Sequence, residues 1–267
     1  MKNIFIASLL TVCTAVYAGK KIQAPVIKPA YAIWNVDNGT LIDSSDSGSV
    51  RPIASITKIM SAFVVLNSDL NMDELLLVTG PEKSRYIRRG MLITRSKLVE
   101  LSLVSSDNLA ARTLAETHPA GYHTFIDLMN QTARNLGMQN TQYTDSTGLL
   151  STNRSTLGDL NKLVLATQNF PVYRMAANTQ QLFVEAITAV KNGAKRLSIT
   201  GKNTNTFAGK LDIISAKTGY TSAAGRCLTM LINRDGNRYL LVVLGASSPE
   251  QRRKMVEELL RKTKYNN

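Results

Sequence analysis

The sequence predicts a mixed α/β fold. One antiparallel sheet is assembled from strands at both chain ends and flanked by helices, with a helical lobe inserted between those ends. Three observations carry this expectation. Near the start, two apolar runs flank Asp37-Asn38-Gly39, a strong hairpin signal. Through the middle, apolar residues recur at helical spacing. After about Ile199 the pattern changes to strand-like apolar runs, followed by one last amphipathic helix. Strands from opposite chain ends can pair because loop-closure cost grows only logarithmically with loop length.

The elements follow in order. Gly19 to Lys28 reads as an extended lead. Tyr31 to Val36 and Thr40 to Ser44 form the hairpin, and Ser44 to Val50 is a polar turn. A helix is expected from about Ser55 to Leu66 on its apolar run. Asp73 to Arg95 is mixed, with loops and short strands. Thr94 is a candidate N-cap for a helix through Val104, and a second helix runs from Asn108 to about Glu116. Phe125, Leu128, Met129 and Leu136 mark a helix from Thr124 that Gly137 ends. Ser155 or Thr156 caps another through Ala166, with Asp159 near the capping-box position. Leu211 to Ala216, Cys227 to Asn233 and Tyr239 to Ala246 read as strands, the last two joined by Asp235-Gly236. Ser248-Pro249 then starts a helix whose buried side carries Met255, Val256, Leu259 and Leu260.

Residues 1–18 read as a secretory signal peptide. A short basic start precedes the apolar run Ile4 to Val16, and Val16-Tyr17-Ala18 offers a cleavage site. The run is too short to span a membrane comfortably. Residues 19–267 are then expected to form one exported domain beginning at about Gly19. Cleavage leaves Cys227 as the one cysteine, so no internal disulfide forms, and its place in an apolar run points to a buried, inert thiol. The formal charge is +13. For an exported chain this excludes nucleic acid as the natural partner. It favours an anionic polymer or, at most, peripheral contact with a membrane surface. The densest basic cluster is Lys83, Arg85, Arg88, Arg89, Arg95 and Lys97, a pattern typical of solvated surface.

Three motifs carry chemistry. Ser55-Ile56-Thr57-Lys58 places an amine one helical turn after a hydroxyl, on the same face, giving a nucleophile a possible built-in base. Ser106-Asp107-Asn108 falls on an interhelical loop, and Lys217-Thr218-Gly219 follows a strand. Each alone is weak: about one Ser-x-x-Lys is expected by chance at this length, and Ser, Asp and Asn commonly fill turns and caps. The two histidines, His118 and His123, lie beyond a helix end and in the next turn, where surface or capping roles suffice. There is no His-Glu-x-x-His pattern, so neither a metal nor another cofactor is implied. Lys58 is left as the best general base. An unperturbed lysine has a pKa near ~10.4, so it must lose about three units, through burial and the positive charge of Lys217.

The ordered set of motifs resembles the serine DD-peptidase and β-lactamase superfamily from about Pro25 to the C-terminus. Arg51 to Lys58, Ser105 to Asn108 and Lys217 to Leu228 are similar to low-molecular-mass penicillin-binding proteins, in particular the D-alanyl-D-alanine endopeptidase branch. The resemblance implies a site between helical lobe and sheet. It implies action on the peptide cross-links of bacterial peptidoglycan and covalent inhibition by β-lactam antibiotics. By the same resemblance Ser55 is the nucleophile, and Ser106 relays a proton to the leaving amine. Asn108 holds the substrate backbone. Lys217 and Thr218 recognise a carboxylate, and Gly219 gives clearance. The backbone N–H groups of Ser55 and Tyr220 hold the oxyanion. Arg226 either adds charge near this strand or faces outward.

Three other functions compete. A D-alanyl-D-alanine carboxypeptidase would use the same acylation chemistry. A class A β-lactamase would carry a deacylating glutamate in the region that here reads Thr144-Asp145-Ser146-Thr147-Gly148-Leu149, where Asp145 is an imperfect substitute. A β-lactam-sensing module would be joined to membrane helices or a signalling domain. The larger carboxypeptidase relatives carry a further C-terminal β-rich domain, whereas this sequence ends after one short basic helix. The expectation is therefore an endopeptidase.

Overall fold

The hairpin comes first, as β1 (Ala30–Asn35) and β2 (Thr40–Ser45), turned by Asp37 to Gly39 with Gly39 at φ +74°. The structure is a computed structural model that describes residues 28–263, so the expected signal peptide lies outside the described residues. β3 (Arg51–Pro52) leads into a 3-10 turn, Ala54–Ile56, and then α1 (Thr57–Leu66). The α-helix thus starts two residues later than expected, and Ser55 lies in the tighter turn before it. Nearly every α1 residue is buried, the mark of a helix at the centre of the molecule.

β4 (Leu75–Leu77) and β5 (Leu92–Thr94) enclose the basic loop. α2 (Arg95–Val104) begins where Thr94 Oγ1 accepts from the Lys97 backbone N–H. α3 (Asn108–Glu116) begins where Asp107 accepts from Ala110 N–H at 2.9 Å. α4 (Gly121–Asn135) ends in a Schellman motif, Met138 N–H to Ala133 oxygen and Gly137 N–H to Arg134 oxygen. β6 (Arg154–Ser155) pairs with β3, and α5 (Leu157–Ala166) is capped by Thr156. α6 (Pro171–Asn178) carries its proline in the first turn.

β7 (Gln181–Val190) and β8 (Gly193–Lys202) follow as a long hairpin. They correct the sequence reading, which left this stretch helical until about Ile199. β7 buries Leu182, Val184 and Ala186 in strict alternation, a strand signal that was present in the sequence, and Lys191-Asn192 forms the turn to Gly193. β8 has almost no buried residue and hence little apolar pattern of its own; the backbone ladder to β7 defines it. The chain closes with β9 (Asp212–Thr221), β10 (Gly225–Arg234), β11 (Asn237–Ala246) and α7 (Pro249–Lys262).

The five-stranded sheet has the order β2-β1-β11-β10-β9, with β1 antiparallel to β11 from Ala30 opposite Leu244 to Asn35 opposite Tyr239. A separate four-stranded sheet, β4-β5-β7-β8, edges the lobe. β10 and β11 are buried on both faces. One face joins the main core with α1, α5 and the lobe. The other packs Leu228, Met230, Leu241 and Val243 against Val256, Leu259 and Leu260 of α7. Each such aliphatic side chain contributes about 1.5–3 kcal/mol on full burial. The sheet and α1 are thereby held fixed where β9 meets the 3-10 turn. Among the described residues, no helix is long and apolar enough to cross a membrane.

Candidate active site

Ser55 and Lys58 meet as their spacing predicts. Lys58 is fully buried, with Nζ 2.9 Å from Ser55 Oγ. The same nitrogen donates to Asn108 Oδ1 at 2.7 Å and to the Thr147 carbonyl oxygen at 2.6 Å. A neutral amine has two hydrogens and one lone pair. With both hydrogens taken by these acceptors, the lone pair faces the serine hydroxyl. Burial pushes Lys58 down to about 7, against the opposing charges of Asp145, Asp107 and Glu82. The expected fall in pKa thus comes chiefly from burial, without needing Lys217.

Lys217 is buried in the middle of β9, where Nζ donates to Ser106 Oγ at 2.7 Å and to the Thr218 carbonyl oxygen at 2.9 Å. Burial holds it well below its usual range, and the charges of Lys58 and Arg252 push the same way. Ser106 is left-handed at φ +58°, which turns the chain between α2 and α3. Asp107 supports that turn by capping α3 and accepting from Ser84 Oγ. Thr218 Oγ1 bonds Thr204 Oγ1 at 2.6 Å.

Gly219 passes so close to the 3-10 turn that an added Cβ would stand 3.0 Å from both Ser55 N and Ile53 O. The clearance expected at this glycine is thus used by the protein's own backbone. Tyr220 stands half-exposed at the rim, with the Arg226 guanidinium 3.7 Å above its ring. The resulting cleft has a volume of about 290 Å³ and is bordered by Ser55, Ser106, Asn108, Thr218, Gly219 and Tyr220. Every predicted site residue borders it or, for Lys58 and Lys217, bonds a residue that does.

Arg226, for which two orientations were open, faces the cleft. Sequence reasoning missed Arg252, Thr204 and Leu149, which also line it, and the Thr147 carbonyl beneath it. Arg252 comes from α7, its Nη1 donating to the Cys227 carbonyl oxygen at 3.3 Å. No spacing links it to Ser55; a lone arginine on a basic helix carries no signal until the helix is docked.

Asp145 is committed to its own loop. Its carboxylate accepts from Thr147 N–H, Thr147 Oγ1, Gly148 N–H and Leu150 N–H, all within 2.8 Å. Asn153 adds bonds to Asp145 O and Thr57 Oγ1. Together these present the Thr147 carbonyl to Lys58. Asp145 therefore builds the floor of the site and is not among the residues bordering the cleft. His118 Nδ1 accepts from Ala120 N–H, a local capping role, while its Nε2 meets Ser68 Oγ. Cys227 is buried and its thiol is pushed up to about 11 by burial, an inert state. Among the described residues there is no cluster of three or more His, Cys, Asp or Glu side chains placed to hold a metal ion.

A serine paired with a buried lysine, between a helical lobe and an antiparallel sheet edge, defines a serine acyl-transferase of the DD-peptidase class. The chain belongs to the family described as D-alanyl-D-alanine carboxypeptidase, peptidase family S11, which matches residues 19–248. It is a serine-type D-Ala-D-Ala peptidase. It is 36% identical over 230 residues to a D-alanyl-D-alanine endopeptidase of Escherichia coli, covering 84% of this chain and 73% of that protein. It is 35% identical over 251 residues to a D-alanyl-D-alanine endopeptidase of Pseudomonas aeruginosa, covering 89% and 79%. Penicillin-binding protein D2 of Listeria monocytogenes, solved in an ampicillin-bound form, superposes with a TM-score of 0.75 at 30% identity, covering 87% of this chain and 95% of that one.

Proposed function

We propose that this protein is a D,D-endopeptidase that opens D-alanyl cross-links in peptidoglycan through an acyl-enzyme on Ser55, and that β-lactams inhibit it by acylating the same oxygen. The observation that carries the mechanism is the Lys58 environment: two acceptors take the amine hydrogens and the third neighbour is Ser55 Oγ. With a pKa of about 7, roughly half of Lys58 is neutral at pH 7, against about one part in several thousand for a free lysine.

Ser55 Oγ attacks the D-alanyl carbonyl carbon, and its proton passes to Lys58 Nζ. The N–H groups of Ser55 and Tyr220 receive the oxyanion. As the C–N bond breaks, the leaving amine takes a proton from Ser106, whose hydroxyl Lys217 holds in place, and the proton taken up by Lys58 replaces it, so both lysines end the acylation as they began. Water then attacks the ester carbonyl and gives a proton to Lys58, which returns it to Ser55 Oγ as the C–O bond breaks. Asn108 orients the acyl-side backbone, while Lys217 and Thr218 attract the carboxylate on the leaving side, with Gly219 and Tyr220 forming the strand beside it. Arg252 adds a further positive charge there. The resemblance of the motif surroundings to endopeptidases and the two endopeptidase relatives favour cross-links over terminal D-alanine as the substrate.

The test compares kcat/KM on a purified cross-linked dimeric muropeptide and a monomeric pentapeptide, with products identified by mass. The dimer is expected to be cut several-fold more efficiently, with penicillin adding a single adduct on the Ser55 peptide. Higher efficiency on the pentapeptide would make the protein a carboxypeptidase instead. An adduct that persists in Ser55→Ala would remove Ser55 from the mechanism.

Residues 1–18 serve in this reading as the signal peptide, and residues 19–267 as one catalytic domain in the periplasm with at most peripheral membrane contact. N-terminal sequencing of protein released by osmotic shock should begin at about Gly19. Retention of residues 1–18 would contradict export in this form.

A further inference from the structure

The basic cluster noted in the sequence separates into two groups once folded. Arg95 is buried and bound to Glu74 at 2.7 Å, and Lys97 pairs with Glu100 at 2.7 Å. Lys83, Arg85, Arg88 and Arg89, on the loop between β4 and β5, are exposed and have no ion-pair partner among the described residues. The one acidic residue nearby on this loop, Glu82, is turned inward toward Arg112. Lys83 and Arg85, with Ser84 and Tyr86, wall a second open basin of about 310 Å³. Its other wall includes Ser106, Asn108 and Thr204, which also border the Ser55 cleft, so the two spaces adjoin. The carboxylate in that wall, Asp107, is taken up by Ser84 and the start of α3.

We propose that this basin receives the second peptide of a cross-linked substrate and that Lys83 and Arg85 bind its free carboxylates. The inference rests on the endopeptidase reading above and names the part of the substrate that such a reading requires. A terminal D-alanine ends inside the cleft, at the carboxylate-binding side of β9. A cross-linked leaving strand continues past the scissile bond and must leave the cleft. The basin opens beyond Ser106, the residue assigned to the leaving amine, and its two free cations match an anionic peptide. Lys83 and Arg85 are thus specificity-determining residues: they add binding energy only for a substrate long enough to reach them.

The test is binding in the Ser55→Ala background, which removes turnover. Titration calorimetry would compare the dimeric muropeptide, the same dimer with its carboxyl groups amidated, and the pentapeptide. Adding Lys83→Gln and Arg85→Gln together should raise Kd for the dimer about tenfold at low salt and less at physiological salt. The amidated dimer should bind both proteins alike, and the pentapeptide should change by less than about twofold. Lys191→Gln with Lys195→Gln, at the exposed tip of the β7–β8 hairpin, removes the same charge away from the basin and should leave the dimer Kd as it was. An unchanged dimer Kd, an equal loss for the pentapeptide, or an equal loss from the hairpin pair would overturn the proposal. If the dimer Kd rises as expected while active enzyme cuts the pentapeptide faster, the endopeptidase reading fails and the basin stands. If the dimer is cut preferentially while its Kd ignores Lys83 and Arg85, the basin fails and the endopeptidase reading stands.

Discussion

Lys58→Met is expected to slow penicillin acylation of Ser55 by about a thousandfold while leaving the protein folded. A positioned general base typically contributes 10²–10⁴-fold, and no other basic nitrogen among the described residues hydrogen-bonds Ser55 Oγ. Methionine keeps the apolar stem and volume in a site that is already fully buried, and it removes the polar nitrogen. The pH dependence gives the expectation a sign. The neutral amine is the active form, and burial pushes Lys58 down to about 7. Wild-type acylation should therefore rise with pH through about 7 and level off above it, whereas an unperturbed lysine would keep the rate rising toward pH 10. The residual rate of Lys58→Met should lack the limb near 7. Stopped-flow acylation with a chromogenic β-lactam measures both, with circular dichroism to confirm folding. A folded Lys58→Met protein that acylates within a few-fold of wild type would exclude Lys58 as the base.

Gly148→Ala is expected to have the second large effect, through backbone placement. Gly148 lies at φ +83° in the loop that Asp145 holds, directly against the turn that carries Ser55. A Cβ there would sit far inside contact distance of the Ala54 carbonyl oxygen and 2.9 Å from Ser55 N. Ala54 is itself left-handed at φ +47°, so this turn is already constrained. Left-handed backbone alone costs an alanine about 1–2 kcal/mol. The overlap with backbone atoms adds to this, and relief requires the Ser55 turn or the Thr147 carbonyl to move. A misplacement of about 1 Å in a catalytic group costs on the order of 10²-fold in rate. Gly148→Ala should therefore lose about 3 kcal/mol of stability in urea unfolding. Its folded fraction should acylate about a hundredfold more slowly. Gly39→Ala separates the two causes, because Gly39 has φ +74° and nothing near its would-be Cβ. It should show the backbone penalty alone and acylate normally. Gly148→Ala behaving like Gly39→Ala would show that the loop yields without disturbing Ser55.

Most of the fold was legible because most of its elements announce themselves locally. Thr94, Asp107 and Thr156 cap the helices they precede, and Gly137 ends α4 through a motif made within a few residues. The pairing of β1 with β11 followed from the strands at the two chain ends and the cheapness of closing a long loop. The β7–β8 hairpin was overlooked because β8 buries almost nothing. Its polar residues carry little periodicity, and its identity comes from a ladder that exists only once β7 lies beside it.

The pairing of Ser55 with Lys58 was legible in their spacing, whereas Ser106, Asn108 and the Lys217 to Tyr220 strand were singled out by the resemblance of the ordered motifs to a known family. That Ser55 sits in a 3-10 turn held by Gly148 and Gly219 was decided by packing between segments far apart in the chain. So was the supply of Arg252 from α7 and of the Thr147 carbonyl from a buried loop. The shift of Lys58 to about 7 belongs to the tertiary structure as well. Spacing can bring an amine to a hydroxyl, but the loss of water around that amine depends on everything packed over it, and only the completed fold removes the solvent.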